Sequence, residues 1–313
     1  MNVNEISCIG VIGAGLMGHG IAVQFAIRGY DVFLHDTTEE NLQRGMTDVA
    51  NTLDILKQNN LIDDSTAMDA CKRIHTSISL AEAVADVGLV IEAVFEDLDL
   101  KQRIFSELDD HCQPDAVLTS NTSSFMTSQL APSTQRPDKV VVANWWNPPY
   151  LVPLVEVVRG PETSDDTISL TKGLFEAVGK QPIVLQKESL GFIGNRMQFA
   201  LLREALSIVD KGIATPEDVD AVVKTSIGRR LAVAGPLEVF DLAGWDTISH
   251  ICDELFPDLN TSRKNFPVLQ NMVTRGDYGV KSGKGFYDWD DEAVASLRRR
   301  LTHALSSIDQ FPD

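Results

Sequence analysis

Through the first half of the chain, short β-branched runs alternate with longer stretches whose apolar positions recur at helical spacing. Residues 6–12, 31–36, 89–93, 117–120, 140–144 and 154–158 read as strands, with helical patterns over 16–28, 39–60 and 98–111. A helix over 167–178 precedes one more strand at 182–185. Such alternation builds βαβ units and a mainly parallel sheet. After Gly191 the pattern becomes helical with short loops. Residues 192–211 form a long amphipathic helix ended by Gly212, and Thr215 opens the next, with Pro216 at its first position and Asp218 as capping partner. The expected division is near Glu188: an α/β domain over 1–188 and an all-α domain over 189–313. A length of 313 residues suits two domains.

The first strand-to-helix junction carries Gly13, Ala14, Gly15, Leu16, Met17 and Gly18, the spacing GxGxxG. The first glycine permits the tight turn, the second lets backbone approach a pyrophosphate, and the third lets helix and strand pack closely. Glycine-rich turns are common, so context carries the reading. Asp36 closes the second strand about twenty residues on, where an acidic group binds the ribose hydroxyls. The expectation is a Rossmann-type domain that binds NAD. A carboxylate at 36 repels a 2′-phosphate, and His35 and Thr37 beside it supply no arginine clamp.

Four later segments narrow the chemistry. Ser120-Asn121-Thr122-Ser123-Ser124 follows a strand, and Asn144-Trp145-Trp146-Asn147-Pro148-Pro149-Tyr150 leads into Leu154-Val155-Glu156-Val157-Val158. Gly191-Phe192-Ile193-Gly194-Asn195-Arg196 opens the helical half, and Lys281-Ser282-Gly283-Lys284-Gly285-Phe286-Tyr287 lies near the end. Together with GxGxxG these resemble the L-3-hydroxyacyl-CoA dehydrogenase family over essentially the whole chain. The NPPY step, and residues 227–233 before Gly235-Pro236, look more like its branch acting on free hydroxy acids: the L-gulonate (lambda-crystallin), L-carnitine and pyridine-carboxylate dehydrogenases. The resemblance implies that Ser123 and Asn195 bind the substrate's reacting oxygen, with Ser123 also near the nicotinamide. It makes Glu156 the carboxylate that orients the catalytic base. It implies that Glu96, Lys101, Asn147 and Lys281 contact NAD, and that the helical domain forms a homodimer. Taken singly, each residue also has a structural reading: Ser123 as a helix cap, Glu156 as a satisfied sheet carboxylate, Asn195 as a helix brace, Lys281 as a solvated loop lysine.

One position departs from the pattern. Where the family has histidine, before the two aromatics, this chain has Asn144. Histidine titrates near neutrality and can accept and return a proton, and losing a general base typically costs on the order of 10²- to 10⁴-fold in rate. Three readings stand: an introduced substitution, a working site that uses water or another group, or NAD binding without turnover. None of the six histidines lies in a motif that replaces the missing one.

Composition then trims the candidates. A net charge of −18 opposes nucleic acid and anionic lipid as partners. No apolar run is long enough to span a membrane. Met1–Ile6 shows no basic leader region, and the four scattered cysteines form no CxxC pair or metal set, which together point to a cytoplasmic protein without a metal. Residues 36–70 hold eight acidic side chains against Arg44 and Lys57, a poor surface for the phosphates of CoA. The expected substrate is thus a small free L-3-hydroxy acid, with Arg229 and Arg230 as a carboxylate clamp or, equally, a solvated helix-end pair. A hydroxyacyl-CoA substrate, with its place in fatty-acid metabolism, is the alternative. Trp145 and Trp146 read as core packing ahead of a wall for a quaternary ammonium.

Overall fold

The computed structural model describes residues 2–308. The chain divides into two compact units, Met1–Asn195 and Arg196–Asp313.

The first unit holds eight strands: β1 (Cys8–Ile12), β2 (Asp31–His35), β3 (Ile74–Ser77), β4 (Leu89–Glu92), β5 (Val117–Ser120), β6 (Val140–Trp145), β7 (Leu154–Val158) and β8 (Gln181–Leu185). They form one sheet in the order β3-β2-β1-β4-β5-β6-β7-β8. Neighbours run parallel except β6 and β7, which are antiparallel. The central strands β4, β5 and β6 are buried throughout, with both faces covered; each opens on an apolar run and carries its buried polar residues, Glu92, Thr119, Ser120 and Asn144, toward the carboxyl end. β3 escapes the sequence pattern because its four residues, Ile-His-Thr-Ser, bury only Ile74 at the sheet edge.

Helices α1 (Leu16–Ala26), α2 (Glu39–Gln58), α3 (Asp64–Arg73), α4 (Leu80–Val84), α5 (Leu98–His111), α6 (Thr127–Leu130) and α7 (Asp165–Ala177) connect these strands. Part of the core joins Phe105, Leu108 and Cys112, on and just after α5, to Leu118, Val142, Val158 and Phe192. In another part, Trp145 of β6 meets Phe175 of α7 edge-on at 5.1 Å and Phe25 of α1 at 5.9 Å. Trp145 is therefore core, and the cation near its ring is the protein's own Lys180, 5.6 Å from the centroid.

Helix α8 (Gly194–Asp210) begins in the first unit and continues into the second. Beyond it lie α9 (Pro216–Thr225), α10 (Ile227–Leu231), α11 (Pro236–Ala243), α12 (Trp245–Leu255), α13 (Pro267–Arg275) and α14 (Asp291–Ile308). Thr215 caps α9 by accepting from Asp218 N, with Pro216 at the first position, as the sequence predicts. Among the described residues of this unit, the buried apolar side chains are Leu206, Ile248, Phe266 and Met272. Other apolar positions, including Val222, Leu237, Leu242, Trp245 and Ile251, are exposed. No helix among the described residues is long and apolar enough to cross a membrane.

Candidate active site

The turn Gly13–Gly18 sits at the carboxyl end of β1, where open α/β sheets place their ligands. A Cβ on Gly18 would lie 1.7 Å from the Gly13 carbonyl oxygen, so only glycine lets α1 pack this close to the turn. The space beside Gly15 is open, with nothing within 4 Å of where a Cβ would stand. Gly15 is also the N-cap of α1 and offers no side chain to its first N–H groups. Unclaimed donors, the positive end of a helix dipole and empty space beside a glycine fit a pyrophosphate.

Asp36 follows β2 at the same edge of the sheet. Its Oδ2 accepts from Ala14 N at 2.9 Å, which ties the acidic residue to the glycine turn. Its Oδ1 accepts from Thr37 N at 2.8 Å and Asn41 Nδ2 at 2.7 Å. Burial pushes its carboxyl up, but these hydrogen bonds from Ala14, Asn41 and Thr37 outweigh it and hold the carboxyl below the usual range.

The carboxyl ends of β4 and β5 form a buried polar network. Lys101 is fully buried, with Nζ 2.7 Å from Glu92 and 3.4 Å from Glu96. Glu92 also accepts from Ser120 Oγ and Val94 N, and Glu96 from Thr122 Oγ1 and Ser124 N. Lys101, expected against the dinucleotide, is thus turned into the protein, and it braces the loop that carries Glu96 and the turn that carries Ser123. Asn121 Oδ1 accepts from Trp145 N, which fastens that serine-rich turn to the end of β6.

Beside it, Asn144 and Glu156 are paired across β6 and β7 in register. Both are buried, at 6% and 1% exposure. Glu156 Oε2 accepts from Asn144 Nδ2 at 2.9 Å and from Trp146 Nε1 at 3.2 Å. Its Oε1 accepts from Ile193 N at 2.8 Å and Gly194 N at 2.9 Å, the start of α8. Phe192 makes this possible. At φ 50° it occupies the left-handed region, a conformation costing about 1–2 kcal/mol for a residue with a Cβ. Burial of its ring at 2% exposure offsets that cost and aims the next two N–H groups at one carboxylate oxygen. Gly194 is required for a different reason: a Cβ there would lie 2.2 Å from the ring of Trp146.

Ser123 and Asn195 are half-buried, and neither side chain makes a hydrogen bond among the described residues. Asn147 is exposed after β6. Arg229 and Arg230, exposed in the last turn of α10, and Lys281, exposed in the turn between Gly279 and Lys284, belong to the second unit. No group of three His, Cys, Asp or Glu suited to a metal occurs among the described residues.

The model of the 3-hydroxyacyl-CoA dehydrogenase NAD-binding domain matches residues 8–189, and that of the family's C-terminal domain matches residues 191–289. The chain belongs to the 3-hydroxyacyl-CoA dehydrogenase family. Its relatives in this family span two substrate types. It is 30% identical to the 5-formyl-3-hydroxy-2-methylpyridine 4-carboxylate 5-dehydrogenase of Mesorhizobium japonicum, over 96% of each chain. It is 36% identical to a probable 3-hydroxybutyryl-CoA dehydrogenase of Deinococcus radiodurans, over 90% of this chain and 99% of that one. A crystal structure of a 5-dehydrogenase of the first kind, described as an NAD+ dependent dismutase, superposes with a TM-score of 0.91 at 28% identity, covering 97% of this chain and 98% of that one.

As a member of this family the chain is an NAD-dependent oxidoreductase, and the turn at Gly13–Gly18 with Asp36 fits the cofactor physically. Sequence reasoning missed several parts of the site. Glu92 and Ser120 were hidden inside strands, Trp146 looked like core, and Phe192 gives no sign in sequence of its left-handed backbone. Arg44, in sequence only a positive charge on an acidic helix, reaches Asn41, which in turn holds Asp36.

Proposed function

We propose that the chain oxidises the 3-hydroxyl group of a small free L-3-hydroxy acid, with Asn144 in place of the usual histidine. The observation that carries this reading is the Asn144–Glu156 pair, set beside the turn of Ser123 and the start of α8 that bears Asn195. A carboxylate can only accept hydrogen bonds, so the amide of Asn144 must present Nδ2 to Glu156, as an imidazole N–H would. Its oxygen then serves as an acceptor for a substrate hydroxyl but takes up no proton. Glu156 is no substitute base, because four donors already claim its two oxygens. The hydroxyl proton therefore leaves to water. Ser123 and Asn195 donate to the reacting oxygen as charge develops on it. NAD, when bound, supplies the hydride acceptor, held by Gly13–Gly18, Asp36, Glu96, Asn147 and Lys281.

The preference for a free acid over a CoA thioester rests on the exposed acidic side chains of α2, Glu39, Glu40, Asp48 and Asp54, and on relatives named for free acids. Arg229 and Arg230 supply the clamp for its carboxylate. The exposed apolar positions of the second unit support a homodimer formed through that unit, and the unpaired cysteines suit the cytoplasm.

NADH formation over a panel of L-3-hydroxy acids and hydroxyacyl-CoA thioesters tests the substrate class. Asn144→His tests the chemistry: with the other groups in place, turnover should rise by on the order of 10²-fold or more. No gain would mean that hydride transfer does not occur around this pair.

A further inference from the structure

Asp36 does not stand alone at the ribose end of the dinucleotide site. Asn41, in the first turn of α2, donates Nδ2 to Asp36 Oδ1 at 2.7 Å, and its amide oxygen accepts from Nη2 of Arg44. Only one orientation of this amide satisfies both neighbours. A carboxylate offers no proton and a guanidinium no lone pair, so Asn41 is fixed as an adapter between an anion and a cation. Arg44 is exposed, and among the described residues no carboxylate lies within ion-pair distance of it, although Glu40 and Asp48 stand one turn away on either side. A guanidinium without a carboxylate partner, beside the ribose-binding acid, has the shape and charge that recognise a phosphate.

We propose that Arg44 is a built-in anchor for a 2′-phosphate, kept out of use by Asp36, with Asn41 as the positioning residue between them. The preference for NAD over NADP then turns on one carboxylate, with a cation already in place on the otherwise acidic surface of α2. While Asp36 is ionised, a 2′-phosphate meets an anion whose lone pairs are already turned toward Ala14, Thr37 and Asn41. Without that carboxylate, Asn41 loses its acceptor, and both its amide and the guanidinium behind it can turn toward the phosphate. Cofactor choice would thus change with a single substitution.

The test is a fluorescence titration of the full-length protein with NADH and with NADPH, which needs no substrate. The wild type should favour NADH. Asp36→Ser should tighten NADPH binding by roughly tenfold or more, the scale of one charge-assisted pair. Asp36→Ser/Arg44→Ala should lose that gain. Circular dichroism checks that each variant folds, and Asp36→Asn replaces the serine variant if it does not. A gain that survives in the double variant would remove Arg44 from the account. A folded Asp36 variant with no gain would show that the carboxylate is not what excludes the phosphate. A wild type that binds neither dinucleotide would count against the dinucleotide site itself.

Discussion

Glu156, buried at 1% exposure, faces four donors with two oxygens. Glutamine has the same shape but carries an amide NH₂ at one of those two positions. Whichever way it turns, donor meets a fixed donor: at Trp146 Nε1, where Asn144 can turn its amide oxygen but the indole cannot, or at the backbone of Ile193 and Gly194. Glu156→Gln should therefore cost about 3 kcal/mol, read as a lowered urea midpoint, because buried donors left unmet carry their full desolvation penalty. A loss below about 0.5 kcal/mol would mean that the carboxylate's charge and hydrogen bonds are not holding this part of the chain. At this scale the sequence was partly readable. Gly13, Gly15, Gly18 and Asp36 could be placed because their roles depend on spacing along one strand-turn-helix unit. The pairing of Asn144 with Glu156 was implied only by resemblance, since it depends on strand register. The Phe192 backbone and the Asn41 adapter left no pattern, because both are set by neighbours far away or by a single rotamer.

Among the elements, α5 shows how a helix supports the site from behind. Phe105 and Leu108 on it, and Cys112 at its end, pack under the strands that carry Ser120 and Asn144. Burial pushes the Cys112 thiol up to about 12, against an ordinary value of 9.0; Arg136 pulls it down and Asp109 pushes it up, each by less. The folded value lies above the unfolded one, so the neutral thiol contributes stability that is fully present below pH 9.0 and fades as pH rises toward 12. At pH 8 a thiol reagent should modify exposed Cys71 quickly and Cys112 only as the sheet opens. Equal rates at the two positions would mean that the α5 layer is loose. Elements with strong periodicity or burial on both faces, such as α5, β5 and β7, matched their predicted spans. Those missed in the first unit, β3, α3, α4 and α6, are short or mostly polar, so hydrophobic periodicity had little to register.

At the scale of the molecule, the described residues of the second unit combine few buried apolar side chains with many exposed ones. Leu242 is 90% exposed and Leu237 70%. If a second copy covers this face, sedimentation should give a species of about twice 34.3 kDa. Leu237→Glu/Leu242→Glu should then shift the protein toward the monomer, and an unchanged sedimentation coefficient would place the interface elsewhere. The link between Glu156 and the start of α8 also bears on how the chain can be divided. The family's two domain matches meet at residues 189–191, a natural place to cut. A fragment ending there would strip Phe192 from the core and leave Glu156 with two of its four donors. One extended through Asn195 would keep both. The shorter fragment should be the less stable of the two, since the carboxylate that supports the reacting centre draws half its support from beyond the apparent end of its own domain.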